Sequence, residues 1–197
     1  MKFSLKKWHT LPFSLLVVMA ACNNQNSEST TTKDTTSAMS STASPDSGVN
    51  KGVSEDDQKF VKGVIGANMG EVKMAQLAEQ KASNKDIKDL AQMLEKDHTA
   101  VLSELKSYAS QHQIEAPAEE PQDAKDKYND FTKKSGKDFD KDWCDLMEKK
   151  HKESIEKFEG IANNANSDAE LKSFVNKTLP TLRTHLDHVM QCKNKLK

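Results

Sequence analysis

The chain has no run rich in Val, Ile and Thr of the kind that builds strands, and no apolar stretch long enough to span a membrane as a helix. No Gly-rich phosphate loop and no nucleophile motif occurs, so phosphate-cradling and covalent hydrolytic chemistry have no residues to rest on. An excess of charge of one sign is missing too. The 29 basic residues face 30 acidic ones, mixed along every segment, and no basic face carries interleaved aromatics. That pattern argues against nucleic acid as a partner. Cysteine is scarce, at three in 197 residues.

What is present begins with an address. Lys2, Lys6 and Lys7 precede a short apolar run over residues 11–21, which ends in Met19-Ala20-Ala21-Cys22. A basic start followed by a short apolar run is the pattern of a secretory signal. Small residues just before a cysteine resemble a bacterial lipobox, although Met19 stands where Leu is usual. The resemblance implies a signal peptide over 1–21, lipidation (palmitate included) at Cys22, and a membrane contact made through that lipid. An ordinary secretory signal with an incidental cysteine is the competing reading. Asn23, rather than Asp, follows the cysteine. By resemblance to enterobacterial sorting, this implies the outer membrane of the cell envelope, with the domain in the periplasm.

Residues 22–52 form a linker. Ser and Thr make up 13 of the 28 residues from 23 to 50, and almost nothing there is apolar, which predicts a disordered tether. Its r.m.s. reach would be roughly 30 Å. Without the three signal lysines, the balance of the mature chain is 26 basic to 30 acidic, a net charge of −4.

Residues 53–197 suffice for one domain with its own core. Four segments in them show helical periodicity. The first is predicted to open at Ser54 with Asp57 in the box position, and its stripe runs Phe60, Val64, Ala67, Glu71, Met74 and Ala78. Gly63, Gly66 and Gly70 lie beside that stripe and predict close approach of another helix. The second opens at Ser83 with Asp86 and carries Leu90, Leu94, His98, Val101 and Leu105. The third begins near Asp138 or Asp140 and carries Phe139, Trp143, Met147, His151, Ile155 and Phe158. The fourth opens at Ser167 with Glu170 and carries Leu171, Val175, Thr178, Leu182, His185 and Val189, with Pro180 inside it predicting a kink. The connection over 113–138 is long and contains Tyr128 and Phe131, which suit a short helix.

Each stripe is broken once by a polar side chain: Glu71, His98, His151 and His185. At 1.5 Å per residue, these four lie at roughly 15, 21, 20 and 14 Å from the end where the first two helices meet, provided the long connection crosses the length of the bundle. A simple up-down-up-down order would shift His185 to roughly 25 Å. The crossover order gathers the four better. The fold class read from this is all-α: a four-helix bundle with ferritin-like connectivity, with a long crossover between helices 2 and 3 and a disordered tether before it.

The blocks Gly70-Glu71-Val72, Met93 to His98, Asp138-Phe139-Asp140, His151 and Leu179-Pro180-Thr181-Leu182-Arg183-Thr184-His185-Leu186 resemble the bacterial domain-of-unknown-function 4142 family over most of 55–192. The resemblance implies a ferritin-like helical bundle in exported proteins and brings no activity with it. Glu71, His98, Asp140, His151 and His185 match its polar pattern.

Histidines and carboxylates on facing helices are the usual metal ligands inside such bundles. Glu71, His98, His151 and His185 make a candidate mononuclear set suited to zinc, copper or iron. Glu95-x-x-His98 and Glu148-x-x-His151 put Glu and His one turn apart, but helix 4 has no such pair, so a di-iron centre fits less well. Glu95, Glu148 and Asp140 are candidate supporting carboxylates. The same residues also suit a metal-free buried network, with Glu71 paired to His98 and Asp140 to His185. Three roles stay open: a metal- or ligand-handling envelope protein without turnover, a structural or stress-related module, and a metal-dependent redox enzyme. Cys144 and Cys192 fall near one end of neighbouring antiparallel helices and are candidates for a disulfide.

Overall fold

The computed structural model describes residues 52–196. The expected signal peptide, Cys22 and nearly all of the expected linker lie outside these residues. Five helices follow one another: α1 (Glu55–Lys81), α2 (Lys85–Gln111), α3 (Gln122–Thr132), α4 (Gly136–Asn163) and α5 (Ala169–Lys195). No strand occurs among the described residues.

Side-chain caps mark the starts of α1, α2 and α5, within a residue of those expected, while α4 starts at Gly136, ahead of the expected Asp138 or Asp140. Ser54 Oγ accepts from the Asp57 amide at 3.1 Å, as expected for α1. The Asp57 carboxylate does not reach back to Ser54. It is buried, and Oδ2 accepts from the Asp168 amide at 2.9 Å, joining the start of α1 to the start of α5. The N-cap of α2 is Asn84, not Ser83, and its side chain accepts from the Asp86 amide at 2.8 Å. The N-cap of α5 is Asp168, not Ser167, accepting from the Leu171 amide at 2.9 Å. A carboxylate one residue on takes the place of the hydroxyl. α5 runs unbroken through Pro180. Pro180 brings no amide to the Asn176 carbonyl one turn back, and the hydroxyls nearby bond other carbonyls, Thr184 Oγ1 donating to that of Pro180 at 3.0 Å and Thr178 Oγ1 to that of Phe174 at 2.9 Å.

Contacts at the helix ends establish the connectivity. Asp140, at the start of α4, accepts from the Ser83 and Asn84 amides at 2.9 and 3.0 Å, so α4 begins at the α1–α2 turn. Asp168, in the α4–α5 turn, accepts from Tyr108 Oη at 3.0 Å near the end of α2. The chain after α2 therefore travels the length of the bundle before α4 begins, which is the long crossover of ferritin-like folds. α1 pairs with α2 and α4 with α5, while α1 also meets α4 and α2 meets α5.

The crossover contains α3, packed on α1. Two of the three glycines of α1 are explained by this contact, not by another helix of the bundle. A Cβ at Gly70 would stand 2.9 Å from Ala124 Cβ, and one at Gly66 would stand 3.3 Å from Pro121 Cδ. Gly63 has nothing within 4 Å.

The core is split along its length. One apolar cluster includes Met74, Leu90, Leu94, Trp143, Met147 and Val189. The other includes Val61, Val64, Leu105, Phe158, Val175 and Leu182. On each of α2, α4 and α5 one buried polar residue falls between a member of the first cluster and a member of the second, and on α1 two do, Asn68 and Glu71.

The expected disulfide is not formed. Cys144 and Cys192 are both buried free thiols in the first cluster. The Cys192 Sγ is directed at the Asp86 carbonyl, 3.8 Å away on α2, because the last turn of α5 closes against α2 as well as α4.

Candidate metal centre

The polar residues between the two clusters converge. The ring centroids of His98, His151 and His185 stand 5.4, 5.3 and 5.4 Å apart, close to an equilateral triangle. One ligand atom from each ring lies within 4.8 Å of the others. Glu71 Oε2 is 3.3 Å from His98 Nε2. All four are buried, with Glu71 the most accessible at 7 % and His151 at 0 %.

The hydrogen bonds behind the rings decide which nitrogen of each is free. Asn68 Nδ2 donates to the Val64 carbonyl at 2.9 Å, which leaves Asn68 Oδ1 to accept from His98 Nδ1 at 2.8 Å. His151 Nδ1 donates to the Met147 carbonyl at 2.9 Å. His185 Nε2 donates to Asp97 Oδ2 at 3.0 Å. Each ring thus has its proton on the nitrogen that faces an outer acceptor. The lone pairs of His98 Nε2, His151 Nε2 and His185 Nδ1 remain. His98 Nε2 and His151 Nε2 face each other at 3.4 Å, and His185 Nδ1 is buried with no partner. Two bare nitrogens at that distance repel unless a proton or a cation stands between them.

Electrostatics favour the neutral form of two rings, His98 and His185. Burial holds His98 well below its ordinary 6.5, and His151 and His185 push the same way. Burial lowers His185 as well, against the opposing pull of Asp97. Burial raises Glu71 above its ordinary 4.5, opposed by His151, Lys150, His185 and Lys157. Without a cation, a Glu71 carboxyl proton would satisfy His98 Nε2. With a cation, three neutral imidazoles and a carboxylate are a donor set that suits zinc, copper or iron. An N–H tied to a carboxylate, carbonyl or amide oxygen on the far side of each ring is the arrangement that orients metal-binding histidines.

Asn68 and Asp97 were not among the residues read from the sequence. Asn68 sits one turn before Glu71, a signal that could have been used, whereas Asp97 is one of many acidic residues until α5 places His185 beside it. The expected Asp140–His185 pair does not form. His185 takes Asp97, and Asp140 is spent on the amides of the α1–α2 turn and on Ser83 Oγ, which donates to it at 2.5 Å. Glu95 and Glu148 do not support the centre. Glu95 Oε1 accepts from Gln76 at 2.7 Å on the bundle surface, and Glu148 bridges Lys152 and Lys193 at 2.5 and 2.7 Å.

Residues 42–192 match the family described as Domain of unknown function (DUF4142). The chain belongs to that family. Among solved structures, this DUF4142 chain is similar to one titled a crystal structure of a DUF305 fragment from Deinococcus radiodurans. The TM-score is 0.63 at 10 % identity, over 73 % of this chain and 98 % of the other. At that identity the likeness concerns the fold alone. No curated protein matches this DUF4142 chain.

Proposed function

We propose that this DUF4142 protein is an envelope lipoprotein whose bundle binds one zinc, copper or iron ion through Glu71, His98, His151 and His185. The observation that carries the reading is the set of three buried imidazoles, one ligand atom of each within 4.8 Å of the others and each ring anchored behind by a hydrogen bond. With Glu71, placed beside His98, added to the three histidines, four protein donors would surround the ion, a shell that favours holding a metal over turning over substrate. Calorimetric titration of untagged protein with zinc should show one ion taken up per chain with release of protons, because the ligands must be unprotonated. No uptake of zinc, copper or iron would leave a metal-free hydrogen-bonded network as the reading.

The lipoprotein part rests on Met19-Ala20-Ala21-Cys22 and the Ser/Thr-rich linker that follows. The protein would sit in the outer membrane by a lipid on Cys22, with the bundle in the periplasm. Cys22→Ser should release it from the membrane fraction or block its maturation. A variant that is processed normally and stays membrane-bound would remove this part.

A further inference from the structure

A cavity of about 480 Å³ opens between α1 and α4 and reaches Asn68, Glu71 and His98. Its walls are apolar: Phe60, Val64, Ala67, Val101, Phe158 and Leu182 line it. Its size lies within the roughly 300–1,000 Å³ of small-molecule sites. Lys59 and Lys157 stand at its mouth, both exposed. Lys59 pairs with exposed Asp56 at 3.7 Å, while Lys157 forms no ion pair among the described residues.

Two glycines shape the opening. Gly63 on α1 and Gly160 on α4 both line the cavity, and a Cβ at either would meet nothing within 4 Å. Glycine inside a helix costs stability relative to alanine. At Gly66 and Gly70 the packing of α3 and its approach accounts for the missing side chain. At Gly63 and Gly160 no neighbour does, and both border the cavity. A second cavity, of about 320 Å³, meets Glu71 from another side, but it does not reach His98 and carries acidic Asp123 and Glu153 among its lysines.

We propose that the α1–α4 cavity binds an apolar organic monoanion of the medium-chain carboxylate class, its body on Phe60, Val64, Val101 and Phe158 and its carboxylate at Lys157. The inference deepens the metal-site reading, because the bound body covers the Glu71–His98 edge, the accessible side of the cluster. Apolar walls supply the affinity, and Lys157, whose charge also acts on Glu71, sets the orientation.

The test is calorimetric titration of decanoate into metal-free and zinc-treated protein. Wild-type protein should bind a single decanoate. Gly63→Leu fills the mouth without touching the Glu/His cluster, and should lose decanoate while keeping zinc uptake. Lys157→Gln should weaken decanoate by about fivefold, the upper range for an exposed ion pair, and leave the neutral alcohol decanol unchanged. Absence of decanoate binding to either form of the wild type overturns the proposal, as does unchanged decanoate affinity in both variants. Decanoate binding by a chain that takes up no zinc leaves the cavity proposal standing and removes the metal reading alone.

Discussion

Replacement of His151 by leucine separates a metal centre from a hydrogen-bonded network. In the metal-free protein, His151 Nε2 faces the bare His98 Nε2 at 3.4 Å and receives no proton from it. The one hydrogen bond that His151 Nδ1 makes is to the Met147 carbonyl, four residues back in its own helix. Losing that bond costs about 0.5–1.5 kcal/mol, and removing a buried, unpartnered nitrogen returns about 1–3 kcal/mol. Leucine is apolar and close enough in volume to fill the fully buried site. The metal-free variant should therefore unfold within about 1 kcal/mol of wild type, or be more stable. The metal-bound forms should differ sharply. At a free metal concentration of 100 times Kd, binding stabilises wild type by about 2.7 kcal/mol. That corresponds to a rise in Tm of roughly 6–10 °C for a domain of this size. The variant should show almost none of it. Thermal unfolding followed by circular dichroism, with chelator and with zinc, measures both differences. A metal-free variant more than about 3 kcal/mol less stable than wild type would mean that His151 holds the core by a bond to its neighbours, and the reasoning would be refuted. So would an undiminished zinc shift.

Asp97→Asn should lower zinc affinity by about 10–100-fold with little effect on metal-free stability, because a half-exposed carboxylate that orients His185 is weakened while the ligands stay in place; competition with a chromophoric chelator measures it. The metal-free protein should lose stability as pH falls below 6.5, since buried His98 and His185 stay neutral where the unfolded chain takes up protons. Glu71 has the opposite sign: its folded-state value is raised above 4.5, so its contribution is complete below 4.5 and is lost as pH rises through the folded value, and Glu71→Gln should remove that loss in denaturant titrations at a series of pH values. The thiols of Cys144 and Cys192 should resist alkylation until the protein unfolds, because burial pushes Cys144 up to about 12 and raises Cys192 as well; mass analysis of native protein treated with iodoacetamide should find both unmodified and unlinked.

The features of the fold that repeat along the chain were legible in the sequence. Periodicity placed the four long helices, and the interruption of each stripe by one polar residue pointed to the buried cluster of His98, His151 and His185. The estimate of depth selected the crossover, and Asp140 at the α1–α2 turn shows why it works. Partners set by tertiary contact were not legible. Asp97 neighbours His98 in sequence but serves His185 on another helix, and Asp140 resembles a ligand in sequence but caps a turn. Glu95 and Glu148 have the spacing of ligands, yet each projects to the side of its stripe, where Gln76 and lysines hold it at the surface. The glycines of α1 announced a close approach without saying that the crossover, not a bundle helix, makes it. The two cysteines share one end of the bundle, as expected, but thiol direction depends on a rotamer choice that spacing does not carry.

X-ray absorption at the zinc edge of the untagged, zinc-loaded protein tests the central claim most directly. Three imidazole nitrogens at about 2.0–2.1 Å and a carboxylate oxygen at about 2.0–2.2 Å are the shell expected of His98, His151, His185 and Glu71. A shell without multiple imidazole scattering, or one unchanged in His98→Ala and His151→Leu, would contradict it.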